Sequence, residues 1–161
     1  MNKILALCLG VCLQLMVNVS LAQTSSPFVG TWKLNVAKSD LGSEPPPKES
    51  TITISKDTAD LFSMHGEGED SKGNRWSWAW DGPPDGKMHP FKGSSGQQSV
   101  RKEGRVLIRH AEFSDGSSFD ARATVSADGN TAVEETTWKS KDGKETKSKS
   151  VVDRVSTKVA N

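Results

Sequence analysis

The chain has 161 residues, with 21 basic and 20 acidic side chains and a formal net charge of +1. That length suits one domain, and the near-neutral balance speaks against nucleic acid or an anionic membrane surface as the main partner. The only two cysteines, Cys8 and Cys12, stand near the N-terminus, so the rest of the chain can form neither a disulfide nor a thiolate metal site.

The N-terminal segment reads as a secretory signal peptide over residues 1–22. Lys3 supplies the basic start, Ile4–Leu21 is almost wholly apolar, and Ser20-Leu21-Ala22 puts small residues at the cleavage positions. Asn18, Ser20 and that small-residue site argue against a stable membrane anchor. Leu7 and Val11 precede the cysteines where a lipoprotein signal would carry a small residue. The expected location is periplasmic or secreted, with a mature domain over residues 23–161. In that domain only 38 residues, about 27%, are A, V, I, L, M, F, W or C, a low share for a globular fold. A wide solid core would be difficult to fill with so few. Either part of the chain is disordered or the fold surrounds a partly polar, hydrated interior.

From residue 23 onward the dominant period is two, the period of strands. Phe28, Gly30, Trp32 and Leu34 share the first face, followed by Ile52 and Ile54, then by Phe62 and Met64. "RWSWAW" (75–80) places Trp76, Trp78 and Trp80 on one face, and Phe119, Ala121, Ala123 and Val125 make a later row. Asp-Gly pairs at 81–82, 85–86, 115–116, 128–129 and 142–143 punctuate these rows with hairpin signals. The pattern predicts ten short strands near 28–35, 50–56, 60–67, 74–80, 87–92, 97–102, 105–113, 118–126, 131–139 and 145–156. Val36–Leu41 allows at most one or two helical turns, and "SEPPPKES" (43–50) is an extended loop. A meander this long leaves open edges unless it closes, so the expected fold is an all-β, antiparallel up-and-down barrel, with a sandwich as the alternative.

"FVGTWKLN" (28–35) contains Gly30-Thr31-Trp32, which resembles the Gly-x-Trp opening motif of lipocalins. With "GTWKLNVAKSDLG", the Pro-rich segment after it, "DGKMHPFKG" (85–93) and "TVSADGNT" (124–131), the chain resembles a group of exported bacterial lipocalin-like proteins over most of its mature length. The resemblance implies a calycin-type barrel with a central cavity for a small hydrophobic or amphipathic molecule, of fatty-acid type among others. It also implies a barrel floor in which Arg154 covers Trp32, beside Gly30. A second lipocalin motif is missing and the strands exceed eight. An eight-stranded lipocalin barrel and the ten-stranded form of fatty-acid-binding proteins therefore both remain open.

The tryptophan row is either core or cavity wall, and the scarcity of apolar residues elsewhere favours the wall. Trp76, Trp78, Trp80 and Phe119 are accordingly the candidate ligand-binding residues, together with Arg109. Arg109 shares a row with Leu107, Ala111 and Phe113; if it points inward it needs an anion, either a neighbouring glutamate or a ligand carboxylate. The histidines His65, His89 and His110 stand far apart without ligand spacing, so no metal and no cofactor is expected. Ser117 and Ser118 lack a nucleophile elbow, and Glu134 and Glu135 point to opposite faces of one strand, so no enzyme activity is expected. "KSKDGKETKSK" (139–149) reads as a solvated hairpin. The leading functional expectation is an exported barrel holding a small ligand. The alternative is a structural or protein-interaction barrel with a filled interior.

Overall fold

The computed structural model describes residues 26–43, 45–92 and 95–158; the leader expected over residues 1–22 lies outside the described residues. Ten strands follow in order: β1 (Gly30–Leu34), β2 (Glu49–Asp57), β3 (Phe62–Glu69), β4 (Arg75–Gly82), β5 (His89–Pro90), β6 (Gly96–Glu103), β7 (Val106–Phe113), β8 (Ser118–Val125), β9 (Thr131–Lys139) and β10 (Glu145–Ser156). Each coincides with a predicted period-two segment. Only β5 is much shorter than expected, and Pro90, which has no N–H to donate, suits its place at a sheet edge. Val36–Lys38 forms one 3-10 turn, capped by the Asn35 side chain accepting from the Lys38 N–H at 3.2 Å.

All pairings are antiparallel, and the sheet order is β4-β3-β2-β1-β10-β9-β8-β7-β6-β5. The β1–β10 pairing bends the meander into a barrel. A seam remains between β4 and β5, and three contacts span it. Ala79 bridges to Lys92, the Trp80 indole N–H donates to the His89 carbonyl at 3.2 Å, and the Lys92 ammonium meets Asp81 at 2.5 Å. The fold is therefore a nearly closed ten-stranded up-and-down barrel, which settles the strand number that the sequence left open.

Two of the hairpins use the same four-residue device. In Ser126–Gly129 and Ser140–Gly143, the serine hydroxyl bonds the aspartate two residues on. The glycine N–H returns to the serine carbonyl, at 3.0 and 2.8 Å. Gly129 and Gly143 adopt φ of +75° and +83°, which a side chain would strain.

The interior is not uniform along the barrel axis. At one end Phe28, Trp32, Phe62, Trp80, Val100 and Leu107 belong to a close-packed cluster, with Phe28 and Phe62 edge-to-face at 6.3 Å. Burying each such side chain contributes about 1.5–3 kcal/mol, so this half carries most of the hydrophobic stabilisation. Arg154 closes the floor. Its guanidinium lies 4.1 Å from the Trp32 ring centroid and donates to the carbonyls of Pro27, Val29 and Gly129. Gly30 is required beneath it, because a Cβ at φ +139° would run into the Ser156 carbonyl and the Arg154 side chain. The Trp32 N–H donates to the Phe28 carbonyl at 2.8 Å, so the buried indole is satisfied.

Candidate functional site

Above the packed floor lie two spaces that share part of their lining. A lower one of about 180 Å³ is bounded by aliphatic side chains, among them Ile54, Met64, Leu107, Val125 and Val152. An upper one of about 680 Å³ is bounded by Trp78, Phe91, Phe113, Phe119 and Trp138. Ile52, Arg109 and Glu134 border both, and so form the waist between them.

The waist is built across three strands. Arg109 on β7 donates from Nη2 to Glu134 Oε2 on β9 at 2.6 Å, passing over β8. The two residues can meet because β8 presents only Ala121 and Ala123 beneath them, opposite Arg109 and Glu134 respectively. The Arg109 guanidinium also sits 5.3 Å from the Phe119 ring centroid. Arg109 thus faces inward with a protein carboxylate as its partner, one of the two outcomes anticipated for it. Beside it on β6, Gln98 is completely buried and donates its amide N–H to the Met64 sulfur at 3.6 Å. Two buried polar atoms lack a hydrogen-bond partner among the described residues: Arg109 Nε and Gln98 Oε1.

The mouth is aromatic. Phe119 on β8 stacks on its cross-strand partner Trp138 at 6.0 Å, Phe113 lies 5.5 Å from Trp138, and Phe91 stacks on Phe113 at 5.9 Å. Trp138 remains 39% exposed, so this cluster reaches the rim. Asp115 borders the same space. The hydroxyl and backbone N–H of Ser117 both bond its carboxylate, holding it below the ordinary carboxylate range and therefore ionised at neutral pH.

The three tryptophans of β4 do not form one wall. Trp78 borders the upper cavity, but Trp80 is fully buried in the packed cluster, and Trp76 is half-buried in a groove outside both interior spaces, with Glu49, Glu67 and Arg75. The physical reason is the slope of the packing along the strand: Trp80 reaches the floor, where space is filled, and Trp76 the rim, where the wall ends. Two of the three indoles are seated by glycines that β3 places opposite them. Gly66 pairs with Trp78 and Gly68 with Trp76, and a Cβ at either glycine would overlap the partner's indole. Each ring lies flat where a side chain would otherwise stand.

Sequence reasoning singled out Trp78, Phe119 and Arg109, and the structure places all three at the upper cavity. It overlooked Phe91, Gln98 and Trp138. Phe113 was seen only as a row neighbour of Arg109, and Glu134 only as one of an adjacent acidic pair. Trp138 shares its row with Glu134 and Ala132, a mixed pattern without a clean apolar signature. The usable signal was the double alanine of β8, which leaves room for a pair of long side chains. His65 and His110 lie on the outer face and His89 bonds Asp85 at 3.0 Å; among the described residues no group of three or more metal-ligating side chains occurs.

No family model matches the chain, and no curated protein does. Among solved structures it is similar to the fluorescent protein UnaG, at 17% identity over 80% of this chain and 97% of that one, with a TM-score of 0.52. A redesigned β-barrel, b11L5F_LGL, is similar at 11% identity over 80% of this chain and 91% of that one, with a TM-score of 0.51. At these identities the likeness is one of fold.

Proposed function

We propose that the protein is an exported lipocalin-like binding protein that holds a small apolar or amphipathic molecule in the upper cavity and performs no chemistry on it. The observation that carries this reading is the aromatic-bordered space of about 680 Å³ above a packed floor. Small-molecule sites run from about 300 to 1,000 Å³ and combine apolar walls with a few fixed polar groups, as here with Arg109 and Glu134. A filled interaction barrel would leave that space without a purpose and its two unsatisfied polar atoms without a partner. Export rests on the leader-like segment over residues 1–22. The absence of chemistry rests on the commitments of the polar groups. Glu134 is bound to Arg109, the Ser117 hydroxyl is bound to Asp115, and no histidine borders the cavity to serve as a base.

Native mass spectrometry of protein isolated from its own host tests both halves. The expected result is a chain beginning at Gln23 that carries a non-covalent adduct of small mass, released on denaturation. A ligand-free population in gentle conditions would count against binding, and a full-length chain in the membrane fraction would overturn export.

A further inference from the structure

The charge inside the barrel restricts what it can hold. Three ionisable side chains border the interior spaces among the described residues: Arg109, Glu134 and Asp115. Arg109 and Glu134 neutralise one another at 2.6 Å, with side chains only 7% and 20% exposed. Asp115 stands exposed at the rim, so the interior keeps no unpaired positive charge. A ligand carboxylate arriving at the waist would lose its hydration, find the only cation already paired, and face Glu134. An uncharged group loses far less on leaving water.

The polar atoms left over point the same way. Arg109 Nε–H is a donor and Gln98 Oε1 an acceptor, neither with a partner among the described residues. On the β6–β7 ladder Val100 opposes Arg109 and Gln98 opposes Ala111, so the two side chains are diagonal neighbours on the inner face. Such neighbours are about 7–8 Å apart at the backbone, within reach of one small group placed between their ends. The Gln98 amide is oriented by its N–H contact with the Met64 sulfur, which leaves the carbonyl oxygen as the free atom. Both atoms are shut off from solvent, so each carries the penalty of an unmet hydrogen bond, and a ligand group meets them once the two side chains turn toward the cavity. Above them lies aromatic surface and below them a small aliphatic space.

We propose that the cavity selects an uncharged, elongated ligand, aromatic at one end, with an amide-, lactam- or hydroxyl-type group at the waist, and rejects the carboxylate of the same skeleton. The inference rests on the binding reading above and narrows it away from fatty-acid anions. The hydrogen-bonding group would accept from Arg109 and donate to Gln98, while the Arg109–Glu134 pair stays intact.

The test is calorimetric titration of the mature protein with a naphthyl-alkyl carboxylic acid and with its primary amide. At neutral pH the amide should bind at least about tenfold more tightly, the equivalent of one desolvation penalty of about 1.4 kcal/mol. In Glu134→Gln the Arg109 charge is released, and the preference should shrink or reverse. A second measurement needs no variant. If only the neutral acid binds, its apparent affinity for the wild type should climb by about tenfold per pH unit as pH falls from 7 towards 5. Equal binding of acid and amide at neutral pH, or an acid affinity flat over that range, overturns the selectivity while leaving the binding reading intact. Binding of neither compound overturns both.

Discussion

Arg109 and Glu134 stand on strands separated by β8, yet their side chains meet at 2.6 Å inside the barrel, over a floor of two alanines. A buried pair of this kind adds little net stability against an apolar replacement, whereas removing one member strands the other. Arg109→Leu should therefore cost about 3 kcal/mol, the low end for breaking a buried pair, because Glu134 keeps some exposure. The double variant Arg109→Leu/Glu134→Leu should return to within about 1 kcal/mol of wild type. Chemical denaturation of the three proteins decides it; a double variant no more stable than Arg109→Leu would mean that the two residues do not act as a pair.

Trp32 and Trp78 should respond differently to truncation, since one is packed beneath Arg154 and the other borders open space. Trp32→Ala should destabilise by about 3–5 kcal/mol, with or without ligand. Trp78→Ala enlarges an existing cavity and should cost about 1–2 kcal/mol, its main effect falling on probe binding. Equal stability costs in denaturation curves would place Trp78 in solid core.

The flat seat of Trp78 on Gly66 gives a third test. Gly66→Ala forces the indole off its strand partner and should cost about 1–3 kcal/mol, as overpacking does. Added to Trp78→Ala, the same change should cost little, because the overlap is gone. A Gly66→Ala penalty that persists without the indole would mean that backbone preference, not ring contact, keeps glycine there.

His110 predicts the pH response of the outer face. Burial disfavours its charged form, but hydrogen bonds and charge from Asp120 and Glu112 outweigh that and raise its pKa above the ordinary 6.5. A group raised in the folded state contributes stability that is full below its unfolded pKa and is lost as pH rises through the folded one. Wild type should therefore lose stability relative to His110→Asn as pH rises from below 6.5 through the raised folded pKa. Imidazole titration by NMR and paired melts would check it; a folded pKa below 6.5 would reverse the sign.

Strand positions were legible because alternation survives wherever one face is buried, and the Asp-Gly turns mark the ends. The floor of Gly30, Trp32 and Arg154 was legible only through the likeness of Gly30-Thr31-Trp32 to the lipocalin opening motif, since Arg154 carries no signal of its own. The cavity was not. Whether Trp76, Trp78 and Trp80 meet filled or open space depends on their height in the barrel, and a period of two is identical at the floor and at the rim. The Arg109–Glu134 contact was hidden for a related reason. It joins strands that are not neighbours, so neither strand's own pattern reveals it, and Glu134 reads as one half of an unremarkable acidic pair. Trp138 escaped because polar neighbours share its face.

The most direct test of the account is a titration with a neutral, polarity-sensitive naphthalene dye, followed by dye emission and by energy transfer from the tryptophans. Wild type should bind one equivalent saturably, with enhanced and blue-shifted emission. Thr136→Trp, which fills the upper cavity from β9, should weaken binding by at least about tenfold while the protein stays folded. A wild type that leaves the dye in water, or a Thr136→Trp variant that binds it unchanged, would contradict the claim that this cavity is the binding site.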